Sequence, residues 1–590
     1  MALTWSAPRT KLARRKQAAV WDTAGGSGGR LQGARALLLK SLNRGVATVV
    51  ALMVASVLAD PAASRADEFV RPGINFSRVD WRAALEQLRG EVANSPAAQA
   101  YLSFPGAGRS DPFNRTRTPT WAELNAATSD VFATIRNSAI PVLVPFDVAA
   151  YLTDRMTDAP NFIAAHYQSG FGNADFFEAG PSGYDAVFTL PLDAGPDLPS
   201  RVYERPVEVH ITGSLLTYNI EDPAGGKGKT VKSLAGSYPD IRRFVREGFV
   251  RYAFTRFGVP YVVSILCLDS AARTRRLSCR EAAPVAEHFI KSLRIAGGMP
   301  ARPRFSIAGG EVERPQQISA EFAYHPPGEL IAHSGYRSYG GRPDPTVYAQ
   351  MRFPLQETPA YASSQQYVNK DDCSRNGTHC SVGEIPPAPD EAANGRYIWQ
   401  DNFCEARAFE AWQCPGGWGH QGQDIRPATC AVRADRCVAG RHPTVAVRDG
   451  VLVRAKVDQA AFVLVNERNE HIRFRYMHME PQQMNADGML SGRRVSEGEK
   501  IGAVSNYLGR IAGTSTHLHF DIQVFTRDGW IWVNPYATLV ASYEHLIGAR
   551  GKVYGTEPTI ETVTPVPSPE PRPLGASGDH AEAVQAKTVP

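Results

Sequence analysis

The stretch 517-HLHFDI-522 alternates strictly between titratable and apolar side chains. Successive side chains of a β-strand point to opposite faces, so His517, His519 and Asp521 would share one face. The three apolar side chains would share the other face and pack in a core. This stretch therefore predicts a half-buried strand whose polar face is suited to chemistry.

Two further segments nearby carry histidines. In 420-HQGQD-424, a bend at Gly422 would bring the imidazole and the carboxylate together on one ion. The segment 472-IRFRYMH-478 predicts a strand that ends on a histidine. Each segment alone has an ordinary explanation, such as a surface pair or a core histidine. Their occurrence together within one short region favours a single site.

Histidine and carboxylate side chains are ligands that zinc prefers in catalytic sites, where a fourth position is left to water. Such an ion lowers the pKa of water toward about 7 and polarises a carbonyl group. Spare histidines can then move a proton and stabilise a developing oxyanion. The three segments together predict a metal-dependent hydrolase.

In order and spacing, the motifs resemble the lysostaphin/LytM-type murein metallopeptidases. The pattern of that family is H-x-G-x-D, then Tyr-x-His, then His-Leu-His-Phe followed by an acid. A glycine turn at 498–502 and the pair Asn534-Pro535 resemble the family's spacers. The resemblance covers about residues 405–540 and no other part of the chain.

The resemblance implies a role for each histidine. The ligands of one zinc ion, Zn²⁺, per catalytic domain would be His420, Asp424 and His519. The side chains that activate water and stabilise the tetrahedral intermediate would be His478 and His517. The implied reaction is hydrolysis of amide bonds in the peptide cross-links of peptidoglycan. The alternative is a catalytically inactive, peptidoglycan-binding activator of other cell-wall hydrolases, but the complete set of ligands favours the enzyme.

Two more residues have implied roles. Tyr476 would belong to the core or to the wall of the substrate site, and Asp521 would orient an imidazole. The family usually has Glu at the position of Asp521. An insertion between Asp424 and Val445 also departs from the family and leaves the identity of the cleaved bond open.

The chain has eight cysteines in close sequence neighbours, and no C-x-x-C spacing typical of a zinc site. An even number of near neighbours favours local disulfides in an oxidising compartment, although eight cysteines allow 105 connectivities. The candidate pairs are Cys267 with Cys279, Cys373 with Cys380, Cys404 with Cys414, and Cys430 with Cys437.

Residues 1–66 have the order of a secretory signal, with a long basic segment, an apolar run at 45–59 and small residues up to Ala66. Because the run is shorter than the roughly 20 residues of a membrane-spanning helix, we expect cleavage and no stable membrane span afterwards. The protein would then be exported to the periplasm or cell envelope. The alternative is an uncleaved N-terminal anchor that leaves the chain facing the periplasm.

The remaining sequence predicts a multidomain protein. Residues 67–300 form an α+β domain of unknown role, with helices at 121–137 and 281–294 and strands at 207–220 and 250–268. A connection rich in Pro and Gly follows at 301–345. Residues 346–548 form an all-β, antiparallel metallopeptidase domain, and 549–590 form a disordered Pro-rich tail.

The formal net charge is +5, with 21% charged residues. Such a charge is compatible with an anionic cell wall, and the absence of a basic stripe with interleaved aromatics argues against nucleic acid as a partner. The expected partner is peptidoglycan. The N-terminal domain is the candidate region for binding cell-wall or division proteins.

Overall fold

The computed structural model shows a chain built mostly from antiparallel β-sheets with few helices. The chain divides into two units, Met1–Ala66 and Asp67–Pro590, and all described residues belong to the second. The described residues are 73–94, 118–156, 163–191, 206–220, 228–267, 277–300, 322–327, 350–363, 398–405, 411, 413–414, 419–427, 438–454 and 460–553.

Several predicted features lie outside the described residues. They are the signal segment 1–66, the tail beyond Val553, and the cysteines Cys373, Cys380, Cys430 and Cys437. Among the residues that are described, no helix has both the length and the apolar character needed to cross a bilayer.

The helices among the described residues are short. In chain order they are α1 (Trp81–Ala93), α2 (Trp121–Thr128), α3 (Val148–Met156), α4 (Cys279–Lys291), α5 (Pro481–Ala486) and α6 (Tyr536–Ile547). Two 3₁₀ helices span Ile135–Asn137 and Ile163–His166.

The first half of the described chain contains eleven strands. They are β1 (Ile74–Phe76), β2 (Val142–Val144), β3 (Ala174–Gly180), β4 (Gly183–Leu190), β5 (Val207–Ser214), β6 (Leu216–Tyr218), β7 (Lys229–Thr230), β8 (Arg242–Arg246), β9 (Phe249–Arg256), β10 (Val259–Leu266) and β11 (Arg294–Gly297). Seven of them form an antiparallel sheet in the order β3-β4-β5-β10-β9-β8-β7. Helix α4 packs on β9 and β10 and closes a core around Phe289.

The second half contains thirteen strands. They are β12 (Ala323–Tyr324), β13 (Ala360–Ala362), β14 (Ile398–Trp399), β15 (Gln423–Pro427), β16 (Pro443–Val445), β17 (Gly450–Arg454), β18 (Ala461–Glu467), β19 (Glu470–Met477), β20 (Arg494–Val495), β21 (Lys500–Ala503), β22 (Leu518–Thr526), β23 (Gly529–Val533) and β24 (Lys552–Val553). The large sheet has the order β13-β15-β22-β19-β18-β17-β20, with β23 also paired to β22. Leu518, Phe520 and Ile522 of β22 lie in the second core, as the alternating pattern predicts.

The helix predicted at 121–137 is shorter in the structure. Thr120 and Glu123 form a capping box at its start, but the helix ends at Thr128. The Thr128 hydroxyl donates to carbonyl oxygens, and one of these, that of Ala296, belongs to β11. Phe132 and Ile135, which follow, are fully buried. Contacts with residues remote in sequence therefore end the helix at Thr128, although the helical period of the sequence continues.

The strand predicted at 250–268 is a hairpin of β9 and β10. Its two-residue turn, Phe257-Gly258, has φ values of 53° and 75°, which suit the twist of a tight hairpin. A Cβ on Gly258 would lie 2.4 Å from the carbonyl oxygen of Arg78, so only glycine fits there. The sequence did not predict this turn, because it lies within a long β-rich run and only one of its two residues is glycine.

A small parallel sheet uses residues that the sequence predicted to be irregular. Strand β12, in the predicted connection, pairs with β14 and with β24, which lies within the predicted tail. Phe322, Trp399 and Tyr543 pack together beside it, with ring centroids 4.8–5.1 Å apart. Aromatic packing therefore stabilises regular secondary structure as far as Val553.

The two large sheets contact each other through polar side chains. Asp185 of β4 accepts a hydrogen bond from His471 Nε2 at 2.7 Å and pairs with Arg473. Nearby, Asn466 exchanges hydrogen bonds with the backbone of Ser182 and Gly183. The α+β part therefore lies against β18 and β19, and β19 pairs with β22, the strand that carries the H-x-H motif.

Candidate metal centre

Strands β15 and β22 bring the first and third motifs together. They pair antiparallel, and Asp424 lies directly opposite His519 in their register. His420 lies three residues before β15, and its backbone exchanges hydrogen bonds with Cys404 and Glu405. The H-x-x-x-D and H-x-H motifs therefore meet at one end of the sheet, as the sequence predicted.

Three potential ligand atoms lie close together there. His420 Nε2 is 2.9 Å from His519 Nδ1 and 3.2 Å from Asp424 Oδ1, and the last two atoms are 3.3 Å apart. All three residues are buried. Donor atoms on a tetrahedral zinc ion with bonds of 2.0–2.1 Å lie about 3.3 Å apart, so the three atoms match one face of that polyhedron. These residues form a group able to hold a metal ion.

The outer nitrogens of both imidazoles fix their tautomers. His420 Nδ1 is 2.9 Å from the carbonyl oxygen of Asn402, which can only accept, so Nδ1 carries the hydrogen. His519 Nε2 is 3.2 Å from Asp521 Oδ2 and donates to that carboxylate. With a neutral His519 ring, the remaining nitrogens and Asp424 Oδ1 turn lone pairs toward one another, which is unfavourable without a cation. Burial lowers the pKa of His519, but its contacts with Asp424 and Asp521 outweigh burial and raise the value, so positive charge is favoured at this position. The residues therefore fit a bound metal ion.

The two histidines with a predicted catalytic role lie beside this group. The rings of His478 and His517 have centroids 4.6 Å apart. His517 Nδ1 donates to the carbonyl oxygen of Ser515 at 2.7 Å, and His478 Nδ1 donates to that of Tyr507 at 3.1 Å. In each ring Nε2 is therefore the nitrogen able to accept a proton. His478 has a φ of 71°, uncommon for a residue with a Cβ, and directly follows the last residue of β19, Met477.

His517 also approaches the proposed ligands. Its Nε2 is 3.3 Å from Asp424 Oδ1, but the atoms are not aligned for a hydrogen bond, and within the described part of the chain no other group satisfies this nitrogen. A buried, unsatisfied acceptor is costly and often marks a functional site. The position suits a group that accepts a proton from a molecule bound at the centre.

The environment of the centre shifts the pKa values of its groups. Burial lowers the pKa of His478 well below its ordinary value, and His517 and His519 act in the same direction. Burial also lowers the pKa of His517, although Asp424 opposes the effect. Burial raises the pKa of Asp424, but His420 and His517 outweigh it and hold the value well below the usual range. At neutral pH the carboxylate is therefore charged and both catalytic candidates are neutral.

Tyr476 belongs to the core and not to a substrate wall. It is fully buried, its ring packs on Phe520 at a centroid distance of 5.3 Å, and its hydroxyl accepts a hydrogen bond from the backbone N–H of Val447. Asp521 contacts His519 as its predicted role requires.

Two residues that support the candidate metal centre were not predicted from the sequence. Arg475 donates to Asp521 Oδ2 at 2.5 Å, and Asn402 supplies the carbonyl group that holds His420. The alternation along β19 places Arg475 on the face opposite Tyr476, so the sequence contained a signal for it. No local pattern marks Asn402, because its contact spans eighteen positions in sequence.

A polar network fixes the segment around Asn402. Asp401 accepts hydrogen bonds from Gln423 at 2.5 Å and from Asn534 at 2.7 Å, and Gln423 in turn accepts one from the N–H of Asn402. Asn534 is part of the Asn-Pro pair noted in the sequence. The network is buried, so it holds the first motif against the end of β23.

Two disulfides are present among the described residues, and both join predicted pairs. Cys267–Cys279 links the end of β10 to the start of α4, and Cys404–Cys414 closes a loop beside His420. Cys404 and Cys414 share a buried cluster with Trp532 of β23.

Gly422→Ala is expected to damage the centre directly. A Cβ at this position would lie 2.4 Å from the carbonyl oxygen of Phe520 and 3.0 Å from His519 Nε2. Because the first contact is with backbone, relief requires β15 and β22 to separate. We expect a loss of about 1–3 kcal/mol in the free energy of unfolding, measured with urea, together with weaker zinc binding.

Gly236→Ala is the matched control, since nothing lies within 4 Å of the added carbon. It should change stability by no more than about 0.5 kcal/mol. Equal effects of the two substitutions would contradict the close packing of the H-x-G-x-D segment on β22.

The sequence matches no family model and no curated protein. Among solved structures, the chain is similar to one provisionally named glycyl-glycine endopeptidase LytM, from Ruminococcus gnavus, with 18% identity and a TM-score of 0.19. The alignment covers 35% of this chain and 63% of that one, less than two thirds of its length. A similarity of this size is too weak to assign a fold or an activity to this chain.

Proposed function

We propose that this chain is an exported zinc-dependent endopeptidase that hydrolyses amide bonds in the peptide cross-links of peptidoglycan. The observation that carries the metal-dependent part is the convergence of His420 Nε2, Asp424 Oδ1 and His519 Nδ1 in a buried site. The substrate class rests on the ordered H-x-G-x-D, Tyr-x-His and H-x-H motifs.

The residues divide between holding the ion and handling protons. Zinc held by His420, Asp424 and His519 would polarise the scissile carbonyl and acidify a water molecule. His517 is neutral and has its Nδ1 occupied by a carbonyl, so its Nε2 can accept a proton from the attacking water. His478, 4.6 Å away between ring centroids, is placed to stabilise developing charge or to return a proton to the leaving amine.

Location and substrate have separate support. Disulfides persist in oxidising compartments, and the described residues contain two. The formal net charge of +5 is compatible with the anionic surface of a cell wall. Both features agree with the signal-like residues 1–66.

The test is digestion of purified peptidoglycan by the full chain, in three parallel samples: untreated, chelator-treated, and chelator-treated with zinc restored. We expect mass spectrometry to show loss of cross-linked muropeptides in the first and third samples only, with glycan chains intact. The mass of each new fragment also identifies the cleaved bond.

A protein that holds less than about a tenth of an equivalent of zinc and leaves peptidoglycan uncut would overturn the proposal. In that case the activator alternative is tested by adding the chain to another cell-wall hydrolase and measuring the rate of that enzyme.

A further inference from the structure

One buried guanidinium joins the two segments that carry the proposed ligands. Arg475 Nε donates to Asp521 Oδ2 at 2.5 Å, and its Nη2 donates to Gln421 Oε1 at 3.1 Å. Asp521 follows His519 by two residues, and Gln421 is the residue after His420. We propose that Arg475 is a positioning residue that holds the two histidine ligands in their metal-binding arrangement.

Arg475 acts on His519 through the carboxylate of Asp521. Asp521 Oδ2 accepts from Arg475 and lies 3.2 Å from His519 Nε2. The contact places a hydrogen of His519 on Nε2, so in the neutral ring Nδ1 is the lone-pair atom beside Asp424. Asp521 is fully buried, and a buried carboxylate is costly unless a charge compensates it. Arg475 supplies that charge.

Arg475 acts on His420 through its hydrogen bond to Gln421 and through the packing of Trp532. The guanidinium carbon of Arg475 lies 5.0 Å from the centre of the Trp532 ring, at a distance typical of a cation–π contact. Trp532 packs against Cys404 and Cys414, and the N–H of Cys404 donates to the carbonyl oxygen of His420. Arg475 therefore contacts Gln421 and Trp532, which support the first motif. It also contacts Asp521, which supports His519 of the third motif.

The chain contains a matched control two residues earlier on the same face of β19. Arg473 also pairs with a buried aspartate, Asp185, and its guanidinium carbon also lies over a tryptophan ring, that of Trp530, at 4.0 Å. Its partners belong to the interface with the α+β part and not to the ligand segments. Comparing the two arginines separates loss of a buried ion pair from loss of positioning.

The experiment measures zinc affinity in the full chain, by competition with a chromophoric chelator, for the parent, R475M, R475K and R473M. Circular dichroism first confirms that each variant is folded at the temperature used. We expect R475M to weaken zinc binding about 10–100-fold, as is common when a residue that orients a ligand is removed. R473M should stay within about threefold of the parent even though it is less stable.

R475K should recover part of the affinity, because it keeps the charge but cannot contact Asp521 and Gln421 as a rigid fork. Affinity of R475M within about threefold of the parent, or equal weakening by R475M and R473M, would overturn the inference.

The inference rests on the proposed function only in naming zinc as the ion. If the parent binds no zinc, the proposed function fails, and the nitrogen NMR signals of histidine-labelled, metal-free protein then decide the inference. At a pH at which its ring is neutral, we expect His519 to carry its hydrogen on Nε2 in the parent and in R473M, and to become a mixture of tautomers in R475M. An unchanged His519 tautomer in R475M would overturn it.

Discussion

His519→Ala is expected to remove both the metal and the activity, whereas His517→Ala removes the activity and leaves most of the metal. His519 Nδ1 is one of three lone-pair atoms within 3.3 Å of each other, so its loss leaves too few donors. His517 lies at the edge of this group and has its other nitrogen engaged by Ser515. Its removal should cost the proton acceptor, a loss of about 10²–10⁴-fold in rate.

Zinc content by elemental analysis and release of soluble peptidoglycan fragments are the two measurements. His545→Ala is the control, because His545 is an exposed histidine near the end of α6. It should leave both quantities unchanged. Equal loss of zinc in the His517 and His519 variants would contradict the division of roles and would make His517 a ligand.

Asp185→Ala is expected to lower the free energy of unfolding by about 3–5 kcal/mol, because it leaves buried positive charge without a partner. Asp185 is 2% exposed and accepts hydrogen bonds from Thr212, His471 and Arg473. Arg473 cannot reach water easily, since its side chain is 16% exposed and covered by Trp530. The effect is measured by urea denaturation of the full chain.

Arg494→Met is the control for a pair at the same interface. Arg494 pairs with Glu178 at 2.8 Å, but its side chain is 66% exposed, so its loss should cost no more than about 1 kcal/mol. If Asp185→Ala costs as little as Arg494→Met, the buried network does not stabilise the contact between the sheets.

The loss caused by Asp185→Ala should also depend on pH. Burial raises the pKa of Asp185, but Arg473 and His471 outweigh burial and hold it below the ordinary value. The carboxylate therefore stabilises the fold above its unfolded pKa of about 3.9, and this contribution disappears as the pH falls through the folded value. The difference between parent and variant should be full at pH 6 and should narrow below about pH 4. A constant difference across this range would show that charge is not the cause.

The site was more predictable than the boundaries of the helices and strands. Alternation in 517–522 correctly placed His519 and Asp521 on one face, because the two-residue period of a strand is a local property. Helix α2 was predicted too long, and the β9–β10 hairpin was predicted as one strand, because the end of the helix and the turn depend on contacts with β11 and with Arg78 that are remote in sequence. The same is true of β24, which exists through its pairing with β12.

By itself, the sequence determined which residue types are available for the metal centre and which of them share a strand face. It could not determine which nitrogen of each imidazole is left to bind an ion. That choice belongs to the acceptors, the carbonyl oxygens of Asn402, Ser515 and Tyr507 and the carboxylate of Asp521. Arg475, which holds that carboxylate, reaches it from a neighbouring strand. A lone pair is directed by whatever occupies the other side of the ring, and for His420 and His478 that side is completed only when distant segments pack together.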